Sequence, residues 1–267
     1  MRDSLRLYLR YLGISVRGQL QYRGAFIMQT ISHMVMTVME MVGIWALFNR
    51  FGNLPDWSLE QVAMFYGLVQ ITWSIADAMA RGFDVFGGTV KNGDFDRMLL
   101  RPRSTVLQLA GQEFTLRRAG RFAQGLAVLI WAIAVLPIAW SVAKVVLLLA
   151  AAAGGACLFF GLVVFQATMC FWTTESLEIW NTVTYGGVET AQYPLSIYKP
   201  WFRQFFIYVI PLGCVAYFPV VAVLGKPDPL GSPVLLQWVS PLAGVLFLLI
   251  SLRVWQVGVR HYTSTGS

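Results

Sequence analysis

A chain of 267 residues that is 57% hydrophobic and only 12% charged has too little polar surface to wrap itself as a water-soluble domain. Its mean hydropathy of +0.62 places it among integral membrane proteins. The net charge of +7 would suit nucleic acid, but the basic residues cluster beside apolar runs, where membrane topology accounts for them and no nucleic-acid partner is expected.

Apolar runs of about 20 residues recur with turn signals between them, which selects membrane-crossing helices over barrel strands. The first 24 residues interleave Arg2, Arg6, Arg10, Arg17 and Arg23 with Leu5, Leu7, Leu9, Leu12, Ile14 and Val16. No small-residue cleavage site follows a short apolar core, so the segment reads as a helix lying in the cytoplasmic interface, not as a signal peptide. Ala25 to Phe48 is the first span, RFGNLPDWS a polar turn, and Gln61 to Ala80 the second span. A long basic loop follows from Arg81 to Arg121, its later part expected to be helix rising toward the membrane. Phe122 to Leu136 forms the third span, with Pro137 and Trp140 at the far interface. Val142 to Phe171 is the fourth, and its AAAAGGA run is a small-residue surface that lets another helix approach closely. Leu235 to Val257 is the last span.

Between Trp172 and Pro233 two readings compete. Hydropathy makes Phe205 to Leu224 the fifth span. Alternatively Leu177 to Leu195 crosses, carrying Glu178 and Glu189, and Tyr198 to Leu224 dips into the outer leaflet and returns, broken at Pro211 and Pro219. Both give six spans with both termini on one side. That side holds five arginines of the N-terminal segment, eight Lys/Arg between Arg81 and Arg121, and Arg253 with Arg260, fifteen of the twenty basic residues, so it is cytoplasmic. The charge rule favours the first reading, because it moves Lys199 and Arg203 inside; the prolines favour the second.

Within the basic loop, FDVFGGTVKNGDFDRMLLRPR (Phe83 to Arg103) is a charged hinge. Gly87-Gly88 and Gly93-Asp94 are expected to break helices, and Pro102 to end one. Asp94 to Leu100 is then long enough for about two helical turns. Asp94 and Asp96 stand where the helix dipole favours acids, Arg101 where it favours bases, and Met98, Leu99 and Leu100 supply an apolar side. The segment reads either as a loop lying on lipid headgroups or as a docking helix for a soluble partner.

Chemistry-bearing motifs are scarce. Gly225-Lys226, the only Gly-Lys pair, lacks the rest of a phosphate-binding loop, and neither GxSxG nor HExxH occurs. His33 and His261 are far apart, and Cys157, Cys170 and Cys214 have no metal-ligand spacing. No catalytic or metal residue is therefore assigned and no bound cofactor is expected. What remains are carboxylates in or near spans: Glu40, Asp77, Glu175, Glu178 and Glu189. Each is costly in lipid and should face protein or water. Asp77 is expected to pair with Arg81 one turn on. Glu189, beside Gln192 and Tyr193 and one turn from Tyr185 and Gly186, makes a polar-aromatic face. Such a face could line a path for a cationic amphiphile or form a buried subunit contact.

One stretch, PLSIYKPWFRQFFIYVIPLGCVAYFP, carries a family resemblance. Pro194, Pro200, Trp201, Phe202 and Pro211 match a proline-tryptophan segment between the last two spans of ABC type-2 exporter membrane subunits, and Val90 to Pro102 resembles the first cytoplasmic loop of one bacterial subgroup of them, where it is the coupling helix. The resemblance runs over essentially the whole chain and favours the re-entrant reading. It implies one all-α transmembrane permease domain over residues 1–267: an interfacial helix (1–24), six transmembrane helices, a cytoplasmic coupling loop (83–103) and a re-entrant helical pair (198–224) before the last span. It also implies that Lys91, Gly93, Asp94, Asp96, Arg97, Leu99, Leu100, Arg101 and Pro102 meet an ATPase. Glu40, Tyr185, Glu189, Gln192 and Tyr193 become candidates for the substrate path. The implied assembly has two ABC ATPase subunits holding ATP and Mg, a second permease, identical or homologous, and surrounding lipid of the cytoplasmic membrane, with both termini cytoplasmic. A hydrophobic or amphiphilic substrate would move outward by alternating access. The competing function is a non-transporting membrane scaffold whose basic loop recruits a cytoplasmic partner.

Overall fold

The computed structural model describes residues 13–14, 17–19, 21, 23–52, 54, 56–112, 118–173 and 177–264. The interfacial helix expected over 1–24 lies largely outside them, as does Glu175. The architecture is helical, and among the described residues β pairing is limited to one isolated bridge between Leu54 and Trp57.

The central element is α2 (Leu59–Asp84), entered from α1 (Arg23–Phe51) through the predicted polar turn. Its start is fixed by a capping box: the Ser58 hydroxyl accepts from the Gln61 amide at 3.4 Å, and the Gln61 side chain accepts from the Ser58 amide at 3.3 Å. Two short helices, α3 (Phe86–Lys91) and α4 (Asp94–Leu99), lead to α5 (Thr105–Gln112). Then α6 (Ala119–Val135) and α7 (Val142–Met169) pack along α2, and α8 (Leu177–Ala191) lies beside α7. The α7–α8 seam is polar, with Gln166 donating to Asn181 at 2.6 Å and Thr184 donating to Gln166 at 3.0 Å. A bent pair follows, α9 (Pro200–Val209) and α10 (Gly213–Leu224), and then α11 (Val234–Val239) and α12 (Leu242–His261), which returns along α7.

Among the described residues four helices are long and apolar enough to cross a membrane: Phe26–Arg50, Leu59–Lys91, Val142–Met169 and Leu242–His261; the bent pair would add a fifth if it is one span. The first three agree with the predicted spans, and α6, a shorter apolar helix, covers most of the predicted third. Burial sorts them further. The apolar stretch of Leu59–Lys91 is 89% buried and that of Phe26–Arg50 only 18%, so α2 is the core and α1 presents most of its surface outward.

Three local expectations are corrected. The break before the docking segment falls at Val85, and Gly87-Gly88 lie inside α3. The last span is interrupted at Ser240-Pro241, because Pro241 cannot donate to the helix entering from α11. Pro211 stands at the 82° bend between α9 and α10, whereas Pro219 does not break its helix. Wide π-type turns over Gly213–Tyr217 precede Pro219 and absorb its missing donor.

Candidate functional site: an exposed short helix and an interhelical polar cluster

α4 is a six-residue helix entered through Gly93, whose φ of 70° lies in the left-handed region that glycine adopts without strain. Asp94 and Asp96 occupy its first turn, and Asp94 pairs with Arg97 at 3.6 Å. Those side chains are 54% and 83% exposed, so the pair adds little stability. The helix is held by Phe95, fully buried among Phe86 at 5.1 Å, Tyr262 at 5.0 Å and Phe171 at 5.5 Å, ring centre to ring centre. Met98 packs partly inward. With the aromatic anchor inside, Leu99 is left 41% exposed and Leu100 85% exposed. Lys91, Arg101, Pro102 and Arg103 are exposed around them. α5 steadies the far end: the Gln108 amide donates to the carbonyls of Met98 and Arg103, each at 3.1 Å. A cleft of about 520 Å³ opens between α4 and α5, lined by Asp94, Arg97, Met98, Arg101 and Gln108 among others.

Sequence reasoning took Met98, Leu99 and Leu100 as the apolar side and missed Phe95. Its available signal was Phe86 on the other side of the Asn92-Gly93 turn, a large apolar partner of the kind aromatic rings pack against edge to face.

The second cluster lies between helices. Glu40 of α1 accepts from Gln70 of α2 at 3.0 Å, and the Tyr66 hydroxyl lies 3.3 Å from the same carboxylate. Tyr66 donates to the Thr37 carbonyl at 2.9 Å, and Gln124 of α6 donates to Tyr66 at 3.3 Å. Tyr66 and Gln70 are one helical turn apart, so one face of α2 meets both neighbours. Glu189 lies on α8, which also touches α2. Of the path candidates, Glu189, Gln192 and Tyr193 lie at the end of α8 and just beyond it, and Glu40 lies on α1. Glu189 is exposed, Gln192 buried and Tyr193 half-buried. Tyr185, exposed one turn before Glu189, stands edge-on to Trp73 at 5.4 Å. Tyr66, Gln70 and Gln124 were not foreseen; a tyrosine and glutamines inside apolar spans were the available signal.

Asp77 is corrected. Its ion pair crosses from α2 to Arg118 at the start of α6, at 2.7 Å, with Asp77 only 2% exposed. Arg81 and Arg121 add to the positive field there. A carboxylate facing the α2–α6 seam meets the arginine of the opposite helix before the one on its own.

At the other end of α2 a strap closes the bundle. The Trp57 indole donates to Ser196 at 2.9 Å, and the Lys226 ammonium sits 4.2 Å above the Trp57 ring. Asp228 accepts from Tyr217 at 2.6 Å and from the amides of Leu230 and Ser232, each at 2.9 Å. Burial pushes the Asp228 carboxyl up, but the bonds from Ser232, Tyr217 and Leu230 outweigh it and hold it below its ordinary value. A depressed carboxyl stabilises above its unfolded pKa, near 4, and loses that contribution as pH falls through the folded value. Amide exchange in the 226–232 loop, corrected for intrinsic rates, should therefore rise only in strong acid, and D228N should show the faster exchange already at neutral pH.

Comparison with known proteins agrees with this geometry. A model of the family described as ABC-2 family transporter protein matches residues 34–266. The chain belongs to that family: it is a multi-pass membrane component of an ABC transporter, of the kind that works with separate ABC ATPase subunits. Neither the search of curated proteins nor that of solved structures finds a match.

Proposed function

We propose that this chain is the permease subunit of an ABC exporter of the cytoplasmic membrane, moving a hydrophobic or amphiphilic substrate outward by alternating access. Two ATPase subunits carrying ATP and Mg would dock on the cytoplasmic face, and a second permease, identical or homologous, would complete the path. The observation that carries this reading is α4: a short helix anchored inward by Phe95 that leaves Leu99 and Leu100 exposed. Lys91, Gly93, Asp94, Asp96, Arg97, Arg101 and Pro102 surround those leucines as the rest of the coupling surface. Co-purification of an ATP-hydrolysing subunit with the full chain tests the reading, and a chain that purifies from its native membrane without one would contradict it.

In this arrangement six helices cross: α1, α2, α6, α7, α8 and α12, with both termini cytoplasmic. The 82° bend between α9 and α10 supports a re-entrant pair, since one straight span cannot turn so sharply. The pair then lies outside with Lys199, Arg203 and Lys226. A single cysteine at position 203, in a background lacking the native three, should react with an impermeant thiol reagent from outside only. Labelling from the cytoplasm alone would make α9–α10 the fifth span.

Glu40 and Glu189, with Tyr185, Gln192 and Tyr193, form the proposed substrate path. Two carboxylates near aromatic rings favour a cationic amphiphile. E189Q keeps shape and hydrogen bonding but removes charge. It should lower transport of cationic substrates, or their stimulation of ATP hydrolysis, by about tenfold or more, the factor worth one desolvated charge contact, with normal assembly. Poor expression or loss of the partner subunit would instead mark Glu189 as structural.

A further inference from the structure

The segment that follows α12 folds back onto the docking helix. The Ser264 hydroxyl donates to the Asp96 carboxylate at 2.7 Å, across 168 residues of chain. The Tyr262 ring stands edge-on to Phe95 at 5.0 Å and lies 6.0 Å from Phe171 at the end of α7. Phe95 and Phe86 both face Trp255 of α12, at 6.4 and 4.9 Å, and Phe83 at the end of α2 meets the same ring at 5.4 Å. Trp255 is 1% exposed, and its indole donates to Thr105 of α5 at 2.9 Å. One aromatic core therefore joins α4 to α12, α7 and α2.

A six-residue helix has no stability of its own, and α4 is flanked by a turn on each side, at Asn92-Gly93 and at Arg101–Arg103. Its covalent tie to α2 runs through two such turns, at Val85 and at Asn92-Gly93. A push on α4 would be absorbed there unless packing carried it. The packing that faces α4 from beyond α12 comes from Tyr262, with Ser264 holding the one carboxylate of the helix that Arg97 does not pair.

We propose that Tyr262 and Ser264 are positioning residues that clamp the docking helix to the end of α12. Displacement of α4 by a bound ATPase then reaches α12 and α7 as well as α2. This rests on the exporter reading for its functional consequence, but not for the clamp itself. The Ser264 bond is exposed, so the Tyr262 ring carries most of the hold.

The experiment has two arms. In the first, the full chain without its three native cysteines carries a spin label at Leu100→Cys, an exposed site, in lipid. Tyr262→Ala should raise the mobile fraction strongly, Ser264→Ala less, and Tyr262→Phe should restore the wild-type spectrum, because the ring contact survives. Unchanged spectra in both alanine variants overturn the clamp. In the second, the unlabelled chain is purified with the ATP-hydrolysing subunit that accompanies it. Tyr262→Ala should keep that subunit and its hydrolysis while substrate moved per ATP falls at least about fivefold, the low end of a typical coupling. A normal ratio overturns transmission through α12 even if the label has become mobile. If no such subunit accompanies the wild-type chain, the exporter reading fails and with it transmission by an ATPase, while the label arm still decides the clamp.

Discussion

Replacing Leu99 and Leu100 together by alanine is expected to detach the ATPase while leaving the protein folded and inserted. Leu100 is 85% exposed and Leu99 41%, so neither holds the fold. The inward anchor of the same helix is Phe95, whose removal would open a cavity at a cost of about 3–5 kcal/mol and confuse docking with folding. Central apolar anchors of an interface cost about 2 kcal/mol or more on truncation, so the double variant should bind the ATPase at least roughly 30-fold more weakly. Pull-down and transport assays on one preparation check this. A loop that merely rests on lipid headgroups predicts normal values in both, and that result would end the docking-helix reading. Asp94→Lys should act more weakly, through a positive charge at the positive end of a short helix and loss of the exposed pair with Arg97.

Gly154→Val or Gly244→Val should abolish a stable bundle. At this crossing α7 and α12 touch backbone to backbone. A Cβ at Gly154 would fall on the Pro241 carbonyl, and one at Gly244 on the Gly154 carbonyl. Main chain cannot rotate aside as a side chain can, so the helices would have to separate along the most extensive contact that α12 makes. Overpacking of ordinary cores costs about 1–3 kcal/mol, and a clash with backbone belongs at or above the top of that range. Size-exclusion profiles and thermal unfolding in detergent should show aggregation or a strongly lowered midpoint. Gly186→Ala is the control: nothing lies within 4 Å of a Cβ there, and its profile should match wild type.

The AAAAGGA run announced that close crossing from composition alone, because small residues let helix backbones approach; which helix would fill the notch was not written there. Hydropathy likewise marked α1, α2, α6, α7 and most of α12, since a run of apolar residues has one stable fate in a bilayer. Turn residues delimited α4, whose breaks at Gly93 and Pro102 act within a few residues. Local rules erred where a break depended on surroundings. Val85 ends α2 while the adjacent glycine pair stays helical within α3.

Long-range pairing was decided only in three dimensions. Asp77 found Arg118 instead of Arg81 because the α2–α6 seam, not the helical repeat, determines what a buried carboxylate meets. Glu40 met Gln70 and Tyr66 through the packing of α1 on α2. α4 shows the division most clearly. Its residues and ends could be read from the chain, and so could its exposed leucines. That Phe95 holds it, and that Tyr262 and Ser264 hold it from the far end of the sequence, follows from contacts no local pattern encodes, because a six-residue helix derives its position from what packs on it.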